Sequence, residues 1–157
     1  MKNLQIVTGY KSVTFDELDD TCRALVCQAR QATFRSYSPY SHFKVGAAIL
    51  LSNGETVTGS NQENVAYPSG TCAERTTAFY AHSRYPDAGF EMIAIAARGT
   101  DDEWVKVPIS PCGACRQVLL EYENLAGHPV PVLLAGRSEV YILPSVKSLL
   151  PFAFSEF

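Results

Sequence analysis

Nowhere in the 157-residue chain does an apolar run reach the length of a membrane-spanning helix. Nor is there a run of Lys and Arg of the kind that neutralises successive phosphates. Thirteen basic residues stand against sixteen acidic ones, for a formal net charge of −3. A nucleic acid polymer is therefore a poor partner, and so is a membrane. Low-complexity segments and internal repeats are absent. The opening stretch, M-K-N-L-Q-I-V-T-G-Y-K-S, is too polar to serve as a signal peptide, which predicts a cytoplasmic protein with reduced thiols. Cysteines number five, so a disulfide framework would leave one thiol over. The length suits a single domain, residues 1–157, built on one core.

The periodicity that is present reads as alternating helices and strands. Thr14-Phe-Asp-Glu17 has the spacing of a capping box, and Leu18, Cys22, Leu25, Val26 and Ala29 recur at helical intervals. This predicts a helix to about Phe34. Val45–Leu51 and Thr56–Thr58 flank Asn53-Gly54, a strong signal for an antiparallel hairpin. Cys72–Ser83 is compatible with a helix. Met92–Ala97 is continuously apolar, as a buried central strand should be. Ser110 as N-cap with Pro111 behind it predicts a helix ending near Gly127. Val130–Leu134 and Glu139–Leu143 are two further strands, and Ser145 is placed to cap a last short helix. The order predicts an α/β fold: a three-layer α/β/α sandwich with a mixed five-stranded sheet.

Three of the five cysteines fall in two short stretches, C-A-E-R at 72–75 and P-C-G-A-C at 111–115. Cys112 and Cys115, three apart at a helix start, can share one face, and a helix N-terminus favours a thiolate. Zinc takes four ligands, and a catalytic site leaves one position for water. Cys72, at another predicted helix start, fits as the third protein ligand. Glu74 then stands two residues on, where its carboxylate can reach the water without ligating the metal. Taken alone, a Cys-x-x-Cys pair also serves redox couples and structural zinc sites. A redox pair would leave Cys-x-Glu idle, and a structural site needs a fourth donor. Cys22 and Cys27, five apart on the first helix, read as packing residues.

Together these segments resemble the cytidine deaminase family. The resemblance runs in order through Tyr37–Ala48 (Y-S-P-Y-S-H-F-K-V-G-A-A), Gly59–Asn64 (G-S-N-Q-E-N), Cys72–Arg75, Ser110–Gln117 (S-P-C-G-A-C-R-Q) and Leu149–Phe154 (L-L-P-F-A-F). It implies one Zn²⁺ per subunit on Cys72, Cys112 and Cys115, and Glu74 as the proton shuttle general to zinc deaminases. Three thiolates on one Zn²⁺ carry a net charge of −1. The resemblance implies that Arg75 offsets this by hydrogen bonding to a ligand sulfur. Arg116 reads equally as an assistant or as an ordinary surface cation.

The resemblance also implies a substrate: the nucleosides cytidine and 2′-deoxycytidine, converted to uridine and 2′-deoxyuridine with release of ammonia, in pyrimidine salvage. Asn61 and Glu63 alternate along an extended segment and can face the same way. By themselves they read as a solvated loop; it is the resemblance to the family's Asn-x-Glu-Asn motif that implies they grip a sugar hydroxyl together. Backbone groups around Ala73 and Ser110 are expected to read the base edge, and Phe43 to form part of the pocket wall. The all-cysteine ligand set resembles the homotetrameric class, with active sites near subunit interfaces. Phe154 is then expected to reach a neighbouring subunit's site, and Tyr67 to lie at an interface. Two other readings compete: a deaminase of a different small heterocycle, and a non-catalytic module stabilised by zinc. The polar Ala97–Pro108 connection, which holds Trp104, has no assigned role at this stage.

Overall fold

Phe90–Arg98 organises the molecule. The computed structural model describes residues 1–155, so the last two residues of the expected domain, Glu156 and Phe157, lie outside the described residues. Six strands run in chain order as β1 (Lys11–Thr14), β2 (Lys44–Leu51), β3 (Thr56–Ser60), β4 (Phe90–Arg98), β5 (Val132–Ala135) and β6 (Glu139–Leu143). They form one sheet in the order β1-β6-β5-β4-β2-β3. The pair β4–β5 is parallel, and the other neighbouring pairs are antiparallel. Three α-helices, α1 (Asp20–Ala32), α2 (Ala73–Arg84) and α3 (Gly113–Ala126), complete the frame.

The sheet is mixed and carries helices on both faces, as expected, but it has six strands and not five. The additional strand, β1, is K-S-V-T, with only Val13 partly buried. Four mostly exposed residues leave too little apolar alternation to be read in advance. Pairing with β6 supplies the order that the local sequence does not.

Side chains on β4 alternate between two cores. Ile93 and Ile95 pack with residues of α2 and α3, including Ala78, Ala81, Leu119 and Leu120. Ala94 and Ala96 pack with Leu25, Val26 and Ala29 of α1. A strand covered on both faces has no polar side, which is why its sequence is a continuous apolar run. The face toward α1 is built from small residues, so α1 lies close against it. At Gly46 of β2, a Cβ would stand 2.2 Å from the Ala29 carbonyl oxygen and 2.7 Å from the Thr33 amide nitrogen. At the hairpin tip, Gly54 adopts φ +84°, a region open to glycine, and the Leu51 amide donates to the Glu55 carbonyl at 2.9 Å.

Two helix starts differ from those expected. Thr14 and Glu17 do form the reciprocal capping box, but on a 3₁₀ turn (Phe15–Glu17). The α-helix begins at Asp20, and its N-cap is Asp19, which accepts from the Cys22 amide at 2.8 Å. At α3 the N-cap is Cys112, two residues after Ser110, and Gly127 ends the helix in the left-handed region. Cys22 is buried as expected, whereas Cys27 is exposed and has no packing role. Ser145 does cap the final 3₁₀ turn (Val146–Leu149), accepting from the Lys147 amide.

The 97–108 connection folds onto α1. Arg98 lies over the Phe34 ring at 4.0 Å, Phe34 meets Trp104 edge-on, and Arg30 sits 5.3 Å from the Trp104 ring. Trp104 thus caps the end of the α1 layer. At the far end of α3, Glu123 is buried and ties three elements together. It accepts from the amides of Val130 (2.8 Å) and Val146 (2.7 Å) and from the Ser145 hydroxyl (2.7 Å).

Two substitutions test this frame by urea unfolding at fixed protein concentration. Gly46→Ala drives a methyl into backbone atoms that cannot rotate away and is expected to cost about 2–3 kcal/mol. Glu123→Ala strands two buried amides and is expected to cost about 2–4 kcal/mol. Wild-type midpoints for both variants would contradict the packing described.

Candidate active site

Cys72 and Cys112 occupy the same structural position on two different helices. Each is an N-cap with extended backbone (φ −75° and −66°), and each carbonyl accepts the first intrahelical bond, from Thr76 and Arg116 respectively. Cys115 sits one turn into α3. Because α2 and α3 pack side by side on one face of the sheet, their starts converge. The Cys72 and Cys112 sulfurs are 3.8 Å apart, and Cys112 and Cys115 are 3.4 Å apart. All three sulfurs lie within 4.8 Å of one another. Sulfurs bound about 2.3 Å from a tetrahedral zinc stand about 3.8 Å apart, so this donor set fits that metal. Among the described residues, no fourth Cys, His, Asp or Glu joins the cluster. The geometry is that of a site with one position to spare.

At Cys72 the electrostatics favour thiolate. Hydrogen bonds from Cys115, Arg75 and Cys112 bring the Cys72 thiol down to about 5. Cys115 is pushed upward, by its hydrogen bond with Cys72 and by burial. Arg75 Nη2 donates to the Cys72 sulfur at 3.8 Å. Both helix N-termini add partial positive charge. Arg116, by contrast, points away from the thiols. Its guanidinium donates to the Pro111 carbonyl, the Leu149 carbonyl and the Ser110 hydroxyl, bracing the chain that precedes α3.

Glu74, on the first turn of α2, is only 4% exposed, yet it contributes to a cavity wall. Burial pushes its carboxyl above the ordinary carboxylate range, and the neighbouring Cys72 thiolate adds to the effect. A carboxyl so placed holds a proton more readily than one in water. The cavity measures about 610 Å³, within the usual size for a small-molecule site. Its wall includes Phe43, Asn61, Glu63, Cys72, Glu74, Ser110 and Cys112, which brings most of the expected residues to one place. Tyr40 and Tyr67, in edge-to-face contact at 5.9 Å, form another part of the wall.

Three expected residues are not part of this wall: Cys115, fully buried in the thiol cluster, Ala73 and Phe154. Ala73 is fully buried behind the wall. Phe154 is exposed and outside this cavity, with its carbonyl accepting from Gln117 Nε2 at 2.8 Å.

Asn61 and Glu63 follow β3 in a short extended segment gripped along both edges. Tyr37 bonds it on one side through Asn61 O and the Glu63 amide. On the other side, Gln62 and Thr71 exchange both backbone bonds at 2.9 Å, directly before Cys72. The segment is thus joined to the thiol cluster by backbone. Glu63 is engaged by the 40–41 loop. It accepts from the Ser41 hydroxyl and from the Tyr40 and Ser41 amides, and these bonds hold its carboxyl below the ordinary range. Sequence reasoning missed Ser36, Tyr40 and Ser41 as partners of this segment. Their hydroxyls and amides lie in a loop whose contacts are set more than twenty residues away.

The cytidine and deoxycytidylate deaminase zinc-binding region matches residues 20–126. The chain is 41% identical over 132 residues to a cytidine deaminase of Sporosarcina psychrophila, covering 84% of this chain and 90% of that one. With a cytidine deaminase of Halalkalibacterium halodurans it shares 39% identity over 131 residues, covering 83% and 92%. The crystal structure of cytidine deaminase from Burkholderia pseudomallei superposes with a TM-score of 0.70 at 38% identity, covering 83% of this chain and 97% of that one. The corresponding structure from Mycobacterium tuberculosis gives 0.69 at 33%, covering 88% and 100%.

Metal analysis after dialysis tests the thiol cluster. Purified protein is expected to carry one zinc per chain, and Cys72→Ala or Cys112→Ala to lose most of it. Cys27→Ala, on the exposed face of α1, is the control that keeps it. Full zinc content in the Cys72 and Cys112 variants would reject the ligand set.

Proposed function

The chain belongs to the cytidine and deoxycytidylate deaminase family, and from that premise we propose which residues of its cavity carry out zinc-dependent hydrolysis of cytidine and 2′-deoxycytidine. The observation that carries the reading is a buried carboxyl, Glu74, beside a three-sulfur cluster with no fourth protein donor among the described residues.

Cys72, Cys112 and Cys115 would hold Zn²⁺. When bound, the metal acts as a Lewis acid and brings the acidity of water close to neutral pH. Arg75 donates to the Cys72 sulfur and drains charge from the three thiolates. Glu74 takes a proton from the attacking water and delivers it to N3 of the pyrimidine. Oxygen bonds to C4. Glu74 then takes the remaining proton from the oxygen on C4 and carries it to the exocyclic amino group. The C4–N bond breaks as the C4 carbonyl forms, and ammonia leaves with uridine or 2′-deoxyuridine remaining. A group that alternately accepts and donates works best when its proton affinity is near the working pH, and the burial of Glu74 moves it that way.

Asn61 and Glu63 hold a sugar hydroxyl, Phe43 flanks the bound nucleoside, and backbone near Ala73 and Ser110 reads the base edge. The exposure of Tyr67 and Phe154 supports a homotetramer in which Phe154 serves a neighbouring subunit's cavity. The reading extends to one deaminase domain working in the cytoplasm, in pyrimidine salvage.

An ultraviolet assay of cytidine conversion tests the assignment. Glu74→Gln is expected to keep its zinc and lose turnover by several orders of magnitude. Near-normal turnover in that variant would remove Glu74 from its role. Activity confined to cytosine or to blasticidin S, with none on cytidine or 2′-deoxycytidine, would reject the substrate assignment.

A further inference from the structure

The side-chain amide of Asn61 is almost fully engaged by the protein. Its Oδ1 accepts from the Val45 amide at 2.8 Å, and its Nδ2 donates to the Phe43 carbonyl at 2.9 Å. A backbone N–H can only donate and a backbone carbonyl can only accept, so these two contacts settle which end of the amide is oxygen. Oδ1 retains one lone pair. The Ser36 hydroxyl takes it, donating at 2.6 Å, while Ser36 Oγ lies 3.1 Å from the Oγ of the buried Ser38. With Ser36 in place, Asn61 offers the cavity only its second Nδ2 hydrogen. Glu63, as a carboxylate, offers only acceptors.

We propose that Ser36 is a positioning residue for substrate binding: by filling the last lone pair of Asn61 Oδ1, it makes Asn61 a pure donor opposite the pure acceptor Glu63. This rests on the reading of Asn61 and Glu63 as the sugar clamp. Such a pair is matched by a hydroxyl, whose oxygen accepts from Asn61 and whose proton goes to Glu63. Since cytidine and 2′-deoxycytidine are both substrates, the hydroxyl is one that both carry, at C3′ or C5′. Ser36 is outside the cavity wall and does not meet the substrate. Without its hydroxyl, Oδ1 has an unfilled lone pair and the amide is free to tilt, which weakens the donor without touching the thiols or Glu74.

Steady-state kinetics on wild type, Ser36→Ala and Ser36→Thr, with zinc content and melting temperature checked, test this. The substrates are cytidine, 2′-deoxycytidine, 3′-deoxycytidine and 5′-deoxycytidine. Ser36→Ala is expected to raise KM for cytidine and 2′-deoxycytidine roughly three- to tenfold with kcat little changed, the effect of losing one hydrogen bond. Ser36→Thr, which keeps the hydroxyl, is expected to recover most of this. On either the 3′- or the 5′-deoxy analogue, wild type and Ser36→Ala should become equal, because the clamped hydroxyl is gone.

An equal loss on all four substrates, or a fall in kcat alone, would show general loosening and overturn the proposal. So would a wild-type KM in Ser36→Ala. If wild type itself treats both deoxy analogues like cytidine, the sugar-clamp reading fails and takes this proposal with it. If wild type discriminates and Ser36→Ala discriminates equally well, only the role of Ser36 fails. Should Ser36→Ala not fold, Ser36→Cys replaces it, because a thiol is a weak donor, and the same substrate pattern is required.

Discussion

Three sulfurs within 4.8 Å of one another, drawn from two helix starts forty residues apart, are the constraint on which the remainder depends. They can meet only if α2 and α3 lie side by side with their N-termini at one point. The shared core beneath them secures that arrangement. Small residues on α2, Ala73, Ala78 and Ala81, let it settle closely, while Leu119 and Leu120 of α3 fill the space above Ile93 and Ile95. On the opposite face, Ala48, Ala94 and Ala96 allow α1 to close the sheet with little intervening volume. Packing at this density leaves the helix ends with little freedom to drift.

Charge at that point is managed by position more than by number. The N-terminal ends of both helices lie at the sulfur cluster, the guanidinium of Arg75 faces the Cys72 sulfur, and Glu74 is buried beside them. The same arrangement acts on the two in opposite directions. It lowers the proton affinity of Cys72 through hydrogen bonds and raises that of Glu74 through desolvation. A ligand is thereby kept ionised while its neighbour remains able to carry a proton.

The metal site was legible because its signal is local. Cys-x-Glu and Cys-x-x-Cys declare their chemistry within four residues, and a helix start follows each. The surroundings of the Asn61–Glu63 segment were legible only in outline. Asn61 and Glu63 stood out, but their partners Ser36, Tyr40 and Ser41 lie in a loop joined to them by a parallel backbone contact between Tyr37 and Gln62. Boundaries shifted for a similar reason. Ser110 has the chemistry of an N-cap, yet its hydroxyl accepts from Arg116, and Cys112 caps the helix instead. Cys27 is chemically suited to burial, but its place on α1 turns it to solvent. Trp104 gave no local hint of its role, because the residues that receive it, Arg30 and Phe34, belong to another layer.

By itself the sequence determined the alternation of helices and strands, the central apolar strand, the hairpin at Asn53-Gly54, and the three thiols that lie close enough to hold one metal ion. These follow from periodicity and from residue types whose chemistry is intrinsic. Tertiary structure alone decided that a sixth strand joins the edge, that Trp104 seals α1, that Glu123 binds three elements, and that Ser36 leaves Asn61 with a single hydrogen to offer. Each of these depends on which distant group supplies the missing hydrogen-bond partner or covers the exposed face, and no local pattern carries that information.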